Sequence, residues 1–151
     1  MGASRQGKSG VDLAARSRAR RRALQAVYAW QVSATPMARV VAQFEHEQEM
    51  EIADIEYFRD LVLGVERERA TIDTRLRDFL DREVEEVDPI ERAVLRIAAF
   101  ELLHRIDVPY RVVLNEAIEV CKRFGSENGH TYVNSVLDNA SAQWRADEYR
   151  R

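Results

Sequence analysis

DPIERAVLRIAAFELLHRIDVPYRVVLNEAIEVCKRFGSENGHTYVNSVLDN, running from Asp88 to Asn139, is the stretch that decides the fold. Asp88-Pro89-Ile90-Glu91 supplies a helix cap, a proline at the first helical position and a glutamate three residues after the cap, placed to reach back to the cap's own N–H. The helix it opens carries Ile90, Val94, Leu95, Ile97, Ala98, Phe100, Leu102 and Leu103, and is apolar around most of its circumference. Such a helix belongs in the middle of a bundle. Val108-Pro109 forces a boundary, because a residue before proline avoids helical geometry. The next helix is expected to end at Gly125 as a left-handed C-terminal residue. Ser126–Gly129 makes a turn, and a last helix packs Val133, Val136, Leu137 and Ala140.

The N-terminal half reads the same way. Residues 1–10 (MGASRQGKSG) are small and polar and are expected to be disordered when free. An amphipathic helix follows from about Val11 to Ser33, with Leu24, Val27, Tyr28 and Gln31 at i, i+3, i+4, i+7 spacing. Thr35-Pro36 reads as a cap followed by a first-position proline, opening a second helix that buries Val40, Val41 and Phe44. Asp54 starts a long third helix with Phe58, Leu61, Val62, Val65, Ile72, Leu76, Phe79 and Leu80 towards the core. Gly64 lies inside it at a cost of about 1 kcal/mol relative to alanine, so it marks a close helix crossing or a local bend. Only six glycines and three prolines are present, too few for a strand-and-turn architecture. The expectation is one all-α domain, a compact bundle of six to seven helices.

Several chemistries are excluded. Cys121 is the only cysteine, so neither an intramolecular disulfide nor a cysteine-based metal cluster can form, and a reducing compartment is indicated. Nothing resembles the apolar core of a signal peptide, and no apolar run reaches membrane-spanning length, so a cytoplasmic protein is expected. His46, His104 and His130 lack metal-binding spacing, and the glycines never gather into a phosphate loop. Cys121 and His130 form a nucleophile pair on paper only: Cys121 follows Ile118 and Val120 on a helix and reads as a small core residue. Glu116 and Glu119 look like an ordinary surface pair. No catalytic residue, metal or cofactor is expected.

Charge is unevenly spread. Residues 1–22 hold Arg5, Lys8, Arg16, Arg18, Arg20, Arg21 and Arg22 against Asp12 alone, so a local +6 sits on a remainder of −9. A basic end on an acidic body suggests two partners of opposite charge, although a solubilising tail has the same composition. On a helix Arg16 and Arg20 are one turn apart, as are Arg18 and Arg22, and Arg21 broadens the stripe. Guanidinium groups fork onto phosphates and stack on bases, which suits single-stranded RNA.

The arginine cluster running into ALQAVYAWQ (Ala23–Gln31), followed by the two proline-started helices and Asn115-Glu116-Ala117-Ile118, resembles the NusB family of bacterial transcription antitermination factors. The resemblance extends from Arg16 to Trp144. It implies two packed three-helix halves, with residues 1–15 a flexible basic arm, 16–145 the RNA-binding domain and 146–151 a polar tail. It further implies recognition of boxA-type single-stranded RNA jointly with the ribosomal protein NusE. The setting would be the RNA polymerase elongation complex with other Nus factors, on ribosomal RNA operons. Tyr132 falls where the family places an RNA-contacting aromatic. Tyr28 could serve RNA or core, and Trp30 reads as core. Many relatives carry aspartate at the position of Asn128, and often serine and lysine at those of Gly129 and Thr131; Asn128 is expected to offset the missing lysine by removing a repulsive carboxylate. Glu91 falls where the family uses an acidic contact to NusE, with Glu85 and Glu86 beside it. A NusB-like accessory domain of a ribosomal RNA methyltransferase, and a self-associating structural protein (a homodimer that covers its RNA face), remain as alternatives.

Overall fold

The computed structural model describes residues 11–47 and 52–151; the disorder expected for residues 1–10 lies outside them. Among the described residues there are helices and no strands: α1 (Leu13–Ser33), α2 (Met37–Glu45), α3 (Ile55–Arg77), a 3-10 turn (Val84–Glu86), α4 (Pro89–His104), α5 (Tyr110–Phe124), α6 (Gly129–Trp144) and the short α7 (Ala146–Tyr149). Helices α1–α3 make one half and α4–α6 the other. α4 packs on α1, α3, α5 and α6 and so forms the shared centre.

Local chemistry fixes the helix ends. Asp12 caps α1 by accepting from Ala15 N–H at 3.0 Å, and Asp54 caps α3 by accepting from Tyr57 N–H at 3.0 Å. Asp88 accepts from the N–H groups of Ile90 and Glu91 at the start of α4. The α2 start departs from expectation. Thr35 accepts from the Ser33 hydroxyl and does not cap, Pro36 takes the cap position, and Met37 N–H donates to Glu66 Oε2 from α3. A tertiary acceptor thus meets a donor that a side-chain cap would otherwise satisfy. α1 ends at Ala34 in the left-handed region (φ 58°), its N–H bonded to Trp30 O, a place where glycine is usual.

Gly64 marks a close crossing: a Cβ there would clash with the Cε1 and Cζ edge of the Phe100 ring of α4. Gly125 differs from its expected left-handed geometry, at φ −90° and ψ −174°. Its requirement is space, since a Cβ would lie 2.8 Å from Cys121 O and 3.0 Å from Cys121 Sγ. The C-terminal end is also more ordered than a polar tail. Tyr149 packs on Tyr110 and donates to Asp138, while Glu148 accepts from Tyr110 N–H at 2.8 Å at the start of α5. Buried Arg145 donates to the carbonyls of Leu102, Glu101 and Arg105, satisfying the C-terminal turn of α4.

The apolar core is continuous through both halves and includes Val27, Phe58, Leu61, Ile72, Leu95, Phe100 and Leu137. Fully burying each such large side chain contributes about 1.5–3 kcal/mol. Within this core α4 buries three charged residues, Glu91, Arg96 and Glu101, spaced by five. Each reaches out to other elements. Glu101 takes Arg20 of α1 and Tyr57 of α3, Arg96 takes Asp73 of α3 and Gln31 of α1, and Glu91 takes Ser126 of the α5–α6 turn.

Candidate nucleic-acid interface

α1 divides its arginines between two faces. The buried line Ala15, Ala19, Ala23 and Ala26 faces α3 and α4, and Arg16 and Arg20 flank it. Arg20 is 5% exposed. Its guanidinium contacts Glu101 at 2.8 Å and 3.1 Å, Glu116 at 3.1 Å and Tyr57 OH at 3.4 Å. Burial opposes this charge, but the hydrogen bonds and negative charge of Glu101 outweigh it and hold the guanidinium above its ordinary range. Burial and the same carboxylate push the Tyr57 hydroxyl up. Arg16 lies 4.2 Å above the centre of the Tyr57 ring and 3.8 Å from Asp54. Both arginines, expected on the RNA face, are spent on joining α1 to α3 and α4.

Arg18, Arg21 and Arg22 turn the other way. With Gln25, Ile52, Arg123 and Phe124 they line an open groove. Arg18 donates to Ile52 O at 2.9 Å; Arg22 bonds Gln25, pairs with Glu47 and lies over Phe44. Arg21 and Arg123 also line an adjoining groove with Lys122, Glu116 and Glu119. Burial, then the neighbouring charges of Arg123 and Arg18, hold the Arg21 guanidinium below its ordinary range. A site that crowds cations against one another is relieved by an anion. Lys122 and Arg123, in the last turn of α5, were not picked out from the sequence. Their signal was a basic pair ahead of the glycine that ends a helix, indistinguishable there from ordinary complementation of the helix dipole.

Beyond Arg21 the same face of α1 continues through Gln25, Tyr28 and Val32, spaced four, three and four. Tyr28 is 38% exposed and therefore no core residue. α1 runs antiparallel to α4, since Arg20 meets Glu101 and Gln31 Nε2 donates to Pro89 O. Tyr28, three residues before Gln31, thus lies about 4.5 Å along the axis from the level of the α4 start. At that level the α5–α6 turn is pinned: Ser126 Oγ donates to Glu91 Oε2 at 2.9 Å, and Gly129 fits against the same carboxylate. Asn128 is exposed and caps α6 by backbone geometry alone. One turn on, half-buried Tyr132 donates to Asp81 Oδ1 at 3.0 Å, with Arg82 5.0 Å from its ring centre.

The acidic residues divide too. Glu91, 8% exposed, neither reaches back to its helix cap nor offers its carboxylate to solvent; it positions the turn. Glu85 is exposed and lies 3.6 Å from Arg92 and 3.7 Å from Arg96, cations that the linear order of the acidic run had hidden. Glu86, also exposed, closes a capping box with Glu83. Cys121 is fully buried; burial, then Glu91 and Asp88, push its thiol up to about 11, so it is an inert core residue.

A two-half helical bundle with an open cationic groove beside α1 and α5, and with its one thiol buried in the core, defines a class of small all-α proteins. Comparison with known proteins sharpens that class. Residues 17–142 match the NusB family. Over 148 residues the chain is 65% identical to the transcription antitermination protein NusB of Xanthomonas axonopodis pv. citri (strain 306), covering 97% of this chain and 93% of that protein. It is 64% identical over 141 residues to the protein of the same name from Xanthomonas campestris pv. campestris (strain B100), covering 93% and 89%. The fold matches that of T. maritima NusB with a TM-score of 0.75 at 24% identity, over 89% of this chain and 97% of that one. The chain belongs to the NusB family.

Proposed function

We propose that this chain, a NusB-family transcription antitermination factor and not an enzyme, binds a boxA-type single-stranded RNA along the face that runs from Arg18, Arg21 and Arg123 past Tyr28 to Asn128 and Tyr132. The observation that carries this reading is the Arg18–Arg21–Arg123 groove, where three cations converge and, among the described residues, no buried carboxylate hydrogen-bonds to them. Guanidinium groups bind phosphates there, and Tyr28 and Tyr132 offer ring surface to bases, each stack contributing about 1–3 kcal/mol. Arg22 borders the groove through its contacts to Glu47 and Phe44. Arg16 and Arg20 act through the fold.

NusB-family proteins act in antitermination together with other Nus factors. The partner proposed here is NusE, a basic ribosomal protein, meeting the exposed Glu85 and Glu86, while Glu91 shapes the turn between that side and the RNA face. NusE would extend the RNA surface in the cytoplasmic elongation complex on ribosomal RNA operons. Each ligand must then tighten the other equally. No helix among the described residues is long and apolar enough to cross a membrane.

Transcription in vitro through a terminator placed behind boxA tests this. Readthrough is expected to rise when the chain and NusE are added together, and not when boxA is scrambled. Readthrough indifferent to the chain would overturn the reading.

A further inference from the structure

The connection between α3 and α4 carries Asp81 and Arg82 onto Tyr132 of α6. Arg82 donates to both Asp81 oxygens, Nε to Oδ1 at 2.7 Å and Nη2 to Oδ2 at 3.0 Å. Tyr132 OH donates to the same Oδ1, and the Arg82 Cζ lies 5.0 Å from the Tyr132 ring centre. One guanidinium thus covers an aromatic face, and one carboxylate ties down both the guanidinium and the hydroxyl. Both charged side chains remain substantially exposed, Asp81 at 63% and Arg82 at 44%, so nothing in the core requires the arrangement. Glu91, which holds the neighbouring turn, is near enough to act electrostatically on Arg82.

We propose that Asp81 and Arg82 form an ionic latch over the Tyr132 ring that RNA opens, a base taking the ring face and a phosphate replacing Asp81 on Arg82. The latch deepens the reading of Tyr132 as an RNA contact and rests on it. Its chemistry is exchange: a carboxylate and a phosphate oxygen compete for one guanidinium, and the planar guanidinium and a base compete for one ring. Asp81 is therefore a restraint on affinity and Arg82 a phosphate ligand held in reserve. Arg82 and then Tyr132, through their hydrogen bonds, hold the Asp81 carboxyl down to about 2, so the restraint stays charged throughout the neutral range.

Asp81→Asn keeps the shape and the acceptor for Tyr132 while deleting the competing charge. Titrating labelled boxA RNA at two salt concentrations should show about two- to fivefold tighter binding at low salt, the range that an exposed ion pair spans. The slope of log K against log salt should steepen by about 0.7, one further phosphate contact on a single strand. Adding Arg82→Ala to Asp81→Asn should remove the steepening. The melting temperature of Asp81→Asn should stay within about 2 °C of the parent, since exposed substitutions rarely exceed about 0.5 kcal/mol. Tyr132→Ala separates the two levels. If it weakens RNA binding while Asp81→Asn leaves affinity unchanged or lower, the latch is overturned and the interface stands. If Tyr132→Ala leaves binding unchanged, Tyr132 is no RNA contact and the latch falls with it.

Discussion

Replacing Arg20 by methionine separates a structural arginine from an RNA-binding one. The substitution keeps an unbranched apolar stem in a site only 5% exposed. It deletes a guanidinium that bonds Glu101 through Nε and Nη2 and Glu116 through Nη1. Glu101, itself 1% exposed, keeps the Tyr57 hydroxyl but loses its cation. Breaking a buried pair from one side costs about 3–5 kcal/mol, because an uncompensated charge is left behind. Against a total stability of about 5–15 kcal/mol this is large. At about 2–4 °C per kcal/mol for a chain of this size, the melting temperature should fall by roughly 6–20 °C. Adding Glu101→Leu should recover much of the loss, since exchanging a whole buried pair for apolar groups is often close to neutral. Circular dichroism at 222 nm follows the unfolding, and RNA titration at two salt concentrations, below the lowered transition, follows the site. The folded Arg20→Met protein should keep the parent salt slope, because Arg20 faces no phosphate. A melting temperature within about 2 °C of the parent, together with a slope reduced by about 0.7, would show that Arg20 contacts RNA and that the inward geometry is wrong.

Arg123→Ala should do the reverse, weakening boxA binding and lowering the salt slope by about 0.7 while stability moves by no more than about 0.5 kcal/mol; anisotropy and thermal melting together check this. Asn128→Asp should move the two observables in opposite directions. The new carboxylate at the α6 start favours the helix dipole by about 0.3–1 kcal/mol yet repels RNA at low salt, a difference that added salt should erase. Glu91→Lys buries an unmatched ammonium beside Ser126 and Gly129, so thermal melting should show a loss of several degrees as well as weakened RNA binding; lost NusE binding with an unmoved transition would return Glu91 to the partner surface.

How far the molecule could be read from its sequence depends on the range of the interaction concerned. Helix starts at Asp54 and Asp88 are fixed within one turn, where side-chain caps act, whereas the first helix, expected from about Val11, begins at Leu13 behind an Asp12 cap; α4 announced itself as central by its apolar circumference. Gly64 was legible as either a close crossing or a local bend, because glycine is costly inside a long helix, and the Phe100 ring packed against it makes it a crossing. Arg16 and Arg20 were misleading. At i and i+4 they look like a solvated stripe, and their partners Tyr57 and Glu101 lie up to 81 residues away. A signal did exist on the other side of the contact. Glu91, Arg96 and Glu101 interrupt the apolar positions of a helix that is apolar around most of its circumference, and charges placed there demand buried partners. The complete cationic groove could not be read at all, because Arg123 joins Arg18 and Arg21 only through the packing of α5 on α1.

Fluorescence anisotropy of labelled boxA RNA titrated with the chain, with and without NusE and at two salt concentrations, tests the shared RNA surface most directly. Binding should tighten with NusE, fail on a scrambled RNA and weaken with salt at a slope of about −0.7 per phosphate contacted. Equal binding to boxA and scrambled RNA, indifferent to NusE, would contradict it and leave the Arg18–Arg21–Arg123 groove as non-specific charge on a NusB fold.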